Sequence, residues 1–290
     1  GGLGGGGLGG GGLGRGGFGG RTIGGGVGLL VIVVVALFFG VDPSALLQGI
    51  DGGGTDSGYQ QQPYEEQGSA TSQPSPNDDE MKQFVSVVLA DTEDTWTELF
   101  KDMGRTYQDP HLVLFTGQVR SACGFAQSAM GPFYCPGDSK VYIDLAFYDE
   151  LQQRFHASGD FAQAYVVAHE IGHHVQHLLN PDMGDEMQGS AGSTGANSKS
   201  VRIELQADCY AGVWAYHANQ ERKILEEGDI EEALNAASAI GDDRLQEQTQ
   251  GTVVPDSFTH GTSAQRVRWF KNGFSNGDID GCDTFEAKTL

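Results

Sequence analysis

Positive charge is scarce in this chain. Its 290 residues hold 17 lysines and arginines against 39 aspartates and glutamates, a formal charge of −22 at pH 7. A phosphate backbone is held by clustered basic side chains, so this balance argues against nucleic acid as a partner. The acidic excess is read as a solubility feature. Cysteine is sparse too, with Cys123, Cys135, Cys209 and Cys282 alone. No methionine opens the chain, which suggests a processed, trimmed or partial sequence. Glycine, by contrast, is abundant, and many of the 45 glycines crowd into the first 54 positions.

That crowding divides the chain. Residues 1–22 are a flexible glycine-rich tail that cannot bury enough surface to fold. Ile23 to Val41 carries no charge and is dense in Val, Leu and Phe. As a helix it would span roughly 28 Å, the thickness of a bilayer's hydrocarbon core. Gly40-Val41-Asp42-Pro43 offers no small-residue cleavage pattern, which favours a transmembrane helix over a signal peptide. Arg15 and Arg21 precede the span, while Asp42 and Asp51 follow it. The positive-inside bias therefore predicts a single-pass membrane protein whose folded part lies on the extracytoplasmic side, periplasmic or cell-surface. Residues 42–77, rich in Gly, Gln, Ser and Pro, read as a linker.

The folded part, 78–290, has the length of one domain. Asn77-Asp78-Asp79-Glu80 is a helix start, and Met81, Phe84, Val85, Val88, Leu89, Trp96 and Leu99 follow at helical spacing. Val113 to Val119 reads as a strand. Phe133–Cys135 and Lys140–Leu145, joined by Pro136-Gly137-Asp138-Ser139, read as a hairpin. Helical patterns dominate beyond Leu145, so the expected class is α+β with a small sheet. In an exported chain four cysteines permit two disulfides by three connectivities. The short segment between Cys123 and Cys135 suggests a local bridge, leaving Cys209 to pair with Cys282; four free thiols are the alternative.

The chemistry concentrates in His169-Glu170-Ile171-Gly172-His173. Two histidines four apart share one face of a helix and can offer two imidazole nitrogens to one zinc. Glu170 lies about 100° around the helix, within reach of a metal-bound water without ligating the metal. The surrounding Ala164, Val166, Val167, Ala168, Ile171 and Val175 make the helix apolar nearly all round. It must be buried, and burying these polar groups without a metal would be costly.

A catalytic zinc needs a third protein ligand and an open fourth position. Gln176 and Leu179 stand where one known class has Gly and His, so that class is excluded. His174 points elsewhere on the helix, and His177, one further turn along, would give poor tetrahedral geometry as a third ligand from the same straight helix. Glu204 is the expected third ligand, with Asp208 one turn on to hold the outer nitrogen of a zinc-bound histidine. Thr259-His260-Gly261, followed by Arg266 and Arg268, offers an oxyanion donor, either His260 or one of the arginines. Alternatively, His260 merely caps the helix starting near Ser263.

With these residues the chain resembles the bacterial neutral zinc metallopeptidase family of the YpfJ type. The likeness runs through Cys123-Gly124-Phe125-Ala126, Pro132 to Pro136, His169 to His173, Glu204 to Asp208 and Thr259 to Phe270. It implies a glycine-rich N-terminus, one membrane span and a soluble peptidase domain. At motif level the site is also similar to that of prenyl-protease and HtpX-like peptidases, although Gly261 stands where those usually have proline. The combined reading is a predominantly helical, gluzincin-like zincin. His169, His173 and Glu204 hold Zn2+, Glu170 and His260 are catalytic, Asp208 supports a ligand, and the partner is a peptide or protein substrate. The Val141 to Leu145 strand is the expected edge for an extended peptide. The rivals are a non-catalytic zinc-binding envelope protein and a deformylase-like amidase with Cys135 as a ligand.

Overall fold

A computed structural model describes residues 76–127, 131–153, 156–183 and 193–290. The tail 1–22, the apolar span 23–41 and all but the last two residues of the linker lie outside the described residues. Among the described residues no helix is long and apolar enough to cross a membrane.

The fold is mostly helical with a small sheet, as the α+β reading expected. Helix α1 (Pro76–Asp102) forms where the apolar spacing predicts it, and Val85, Val88, Trp96 and Phe100 on its inner side are buried. The expected strand over Val113–Val119 is instead two strands, β1 (His111–Phe115) and β2 (Gln118–Ser121). Gly117 breaks it at φ 84°, a conformation open to glycine, and its N–H donates to Asp144 Oδ2 at 3.0 Å. The two strands then join different sheets. β2 pairs antiparallel with β3 (Gly124–Gln127), whereas β1 runs parallel to β5 (Lys140–Asp144).

The hairpin of β4 (Phe133–Cys135) and β5 forms as expected, with Tyr134 opposite Val141. Its place in the sheet is a correction. The order is β1-β5-β4, so β5 is the interior strand and β1 and β4 are the edges. Val141 to Asp144 are all buried, which fits a strand covered on both sides. Both disulfides pair as the spacing suggested, Cys123 with Cys135 and Cys209 with Cys282.

Helices α2 (Ala146–Gln153), α3 (Asp160–Leu179), α4 (Lys199–His217), α5 (Asp229–Ala239), α6 (Asp242–Gln250) and α7 (Ser263–Asn276) supply the rest. α3 is the centre of the core, with 15 of its 20 residues buried. It approaches α4 closely because Gly172 has no side chain; a Cβ there would lie 2.8 Å from Ala207 O. α4 and α7 meet backbone to backbone by the same device, since a Cβ on Gly273 would lie 2.0 Å from Cys209 O. These close approaches bring side chains from α3, α4 and α7 into one cluster.

Candidate metal centre

His169 and His173 sit one turn apart on α3 and turn their Nε2 atoms toward α4. Ser198 caps the start of α4, its side chain accepting from Val201 N–H, and so sets where Glu204 falls on the second turn. His169 Nε2 lies 3.2 Å from Glu204 Oε2, and His173 Nε2 lies 3.6 Å from Glu204 Oε1. The three donor atoms fall within 4.8 Å of one another. Two ligands on a tetrahedral zinc stand roughly 3.3 to 3.6 Å apart. The donor types and spacings therefore fit that ion.

The outer nitrogens are held differently. His169 Nδ1 donates to Asp208 Oδ1 at 2.8 Å. Asp208, fully buried, also receives Arg266 through Nε and Nη2, both at 2.9 Å, and the Tyr165 hydroxyl. Burial raises the Asp208 pKa, but the Arg266 and His169 charges outweigh it and hold it at about 2. Burial likewise disfavours the His169 imidazolium. Asp208 and Glu204 override that and push its pKa up to about 10, so a metal taking this position displaces a proton. Glu204 is held well below the usual carboxylate range; burial opposes this, but His173, His260 and His169 prevail.

Arg266 is thus committed to Asp208, and Arg268 donates to the Leu290 carbonyl at 3.2 Å. Neither arginine is placed as an oxyanion donor, which corrects that option. His173 Nδ1 meets Gln176 Oε1 at 2.9 Å, a partner the sequence reading missed. The signal was available, because a residue three positions on shares the helix face.

Glu170 is buried beside the histidines. Tyr148 of α2, also missed, is buried nearby with a hydroxyl that has no hydrogen-bond partner among the described residues. Burial, and then the Glu170 charge, raise its pKa. His174 and His177 leave the cluster, as expected, and each bonds Tyr134 OH, at 3.0 and 2.8 Å, which ties α3 to β4.

His260 is exposed between a partly buried Thr259 and a buried Gly261, and its charge reaches Glu204. Asp242, the first residue of α6, holds that loop. Its Oδ2 accepts the N–H groups of Thr259, His260 and Gly261 at 2.7, 2.6 and 3.0 Å. The cap of α7 is Thr262, in a capping box with Gln265, so His260 is not the cap. Gly261 has φ 89°, which proline cannot adopt, and this accounts for the departure noted at that position.

Residues 3–285 match the family described as "Putative neutral zinc metallopeptidase". The chain belongs to this family. A family relative in Escherichia coli K12, named uncharacterized protein YpfJ, is 55% identical over 263 residues, covering 90% of this chain and 86% of that protein. An uncharacterized protein of Mycobacterium tuberculosis H37Rv is 44% identical over 261 residues, covering 85% and 86%. No solved structure matches. The family's description implies zinc and suggests a hydrolase. The family resemblance read from the motifs therefore stands.

Proposed function

We propose that the chain is a zinc-dependent endopeptidase, anchored by a single N-terminal span at 23–41 with its folded domain on the extracytoplasmic side. The observation that carries the enzymatic reading is the convergence of His169, His173 and Glu204 beside a buried Glu170, in a family described as zinc metallopeptidases. His169 and His173 offer Nε2, and Glu204 offers its carboxylate. Bound zinc lowers the pKa of water and polarises a carbonyl. Glu170 takes the proton of the attacking water and passes it to the departing amine. Asp208 and Gln176 hold the imidazoles in the tautomer that leaves Nε2 bare. His260, whose loop is pinned by Asp242, donates to the oxyanion as the carbonyl becomes tetrahedral. The late segment with His260 supports the likeness to HtpX-like sites, with Gly261 where those usually have proline.

Neither rival gains support. Cys135 is bonded to Cys123, so it is no thiolate ligand. A structural zinc is usually closed by four protein ligands, and the donor group among the described residues has three. Purified protein should hold one zinc per chain and cleave a mixed peptide library. His169→Ala and His173→Ala should each lose the metal; stoichiometric zinc in both would refute the ligand set.

His260→Ala should keep zinc and lower turnover by roughly 10²- to 10³-fold, the usual loss for one oxyanion donor. Unchanged peptide cleavage would remove His260 from catalysis. For topology, protease added to sealed membranes should reach residues after 42 only from the extracytoplasmic face. Protection of the domain in such a preparation would overturn the orientation.

A further inference from the structure

The outer nitrogen of His173 meets a neutral amide, and that amide is one link of a buried relay. Gln176 Oε1 faces His173 Nδ1 at 2.9 Å, while Gln176 Nε2 donates to Ile203 O at 2.8 Å and to Gln206 Oε1 at 3.0 Å. Gln206 Nε2 donates in turn to Cys282 O at 3.0 Å. His173, Gln176, Gln206 and Cys282 are all buried. Water is not on hand to repair a broken link, so a lost partner leaves a buried amide group of Gln176 or Gln206 unsatisfied.

The direction of this relay is not free. A glutamine amide can be turned end for end, and only its partners tell oxygen from nitrogen. Backbone carbonyls only accept. An amide facing Ile203 O or Cys282 O, the latter also accepting Thr284 N–H at 2.9 Å, must therefore present N–H, and both amides are forced into one orientation. Gln176 then presents oxygen to His173, so the ring must carry its hydrogen on Nδ1. In the neutral ring Nε2 is then the unprotonated nitrogen, and it faces Glu204 Oε1 at 3.6 Å. Cys282 is itself fixed to α4 by its bond to Cys209, the neighbour of Asp208.

We propose that Gln206 is a positioning residue for His173, transmitting the anchorage of the Cys209–Cys282 disulfide through Gln176 to the tautomer of that ring. The proposal rests on the zinc reading for its effect on metal affinity. It does not rest on it for the tautomer. Loss of Gln206 frees Gln176 to turn, and His173 then populates both tautomers, of which one cannot bind metal through Nε2. Loss of the disulfide lets the Cys282 carbonyl drift, and the same link fails.

The test uses the full chain, with zinc affinity from chelator competition and ring tautomers from nitrogen NMR of the metal-free protein with labelled histidine. Gln206→Met should weaken zinc about 10-fold, the low end for losing an outer partner of a ligand, and give His173 mixed tautomers. Cys209→Ser with Cys282→Ser should do the same. Combining the two changes should cost no more than either alone, since both break one path. Removing the other disulfide by Cys123→Ser with Cys135→Ser should leave affinity and tautomer unchanged. If Gln206→Met does not fold, Gln206→Asn, which withdraws the amide by one methylene, reads the same quantities. A single Nδ1–H tautomer and wild-type affinity in the Gln206 variant would overturn the proposal, as would losses that multiply. If the wild type takes up no zinc, the metal reading fails, and the tautomers of the metal-free protein still decide the role of Gln206.

Discussion

Replacing Glu170 by glutamine should abolish turnover while leaving zinc content and fold intact. Glutamine matches glutamate in shape but cannot take a proton from water. Glu170 is buried on α3 next to His169, yet it is not among the three donors that converge. Its neighbour on the chain faces Glu204, and the turn of the helix sends Glu170 another way. General acid–base assistance alone is worth about 10² to 10⁴ in rate. In the proposed mechanism both proton transfers pass through one carboxylate, so the loss should exceed that range, more than roughly 5 kcal/mol of barrier. The measurement is kcat on a cleaved peptide, alongside bound zinc and thermal midpoint. An active Glu170→Gln enzyme would end the catalytic reading.

The second large effect is on stability. Arg266→Met should destabilise the domain by about 3 to 5 kcal/mol, the cost of stranding a buried charge. Arg266 is 2% exposed and grips an Asp208 that is 0% exposed. For a domain of this size that corresponds to a fall of roughly 6 to 20 °C in the thermal midpoint. Arg266→Lys should recover only part, because an ammonium cannot make the two-pronged contact. Adding Asp208→Asn to Arg266→Met removes the stranded charge and should restore much of the loss, a non-additive result. The pair also leaves a mark on acid stability. Asp208 is held at about 2, below the ordinary carboxylate value, so its contribution is present above about pH 4 and drains away as pH falls toward 2. A wild-type midpoint no higher than that of the Arg266→Met single variant would show that the ion pair contributes nothing net.

Much of this centre was legible because its parts are local. His169, Glu170 and His173 lie within little more than one turn, and so do Glu204 and Asp208. Each pair announces a helix face by spacing alone. The small number of cysteines made their pairing tractable. What was hidden depends on contacts between distant segments. The parallel alignment of β1 with β5 joins His111 to Lys140, and nothing in either strand names its partner. Gly117 was passed over as a break because the residues on both sides favour strands. Arg266 was read by its charge as a donor to substrate, but only the close approach of α7 to α4 shows that Asp208 claims it. Gln176 and Gln206 are ordinary residues whose roles come from the two carbonyls they meet.

The loop of Thr259, His260 and Gly261 holds one exposed side chain, that of His260, and its three amides converge on one oxygen of Asp242. Main-chain groups so engaged are the usual property of a strand in a sheet. This stretch therefore carries the exposed imidazole of His260 on a backbone that does not open by itself. Opening it requires the first turn of α6 to come apart as well, and its amide hydrogens share the lifetime of that helix.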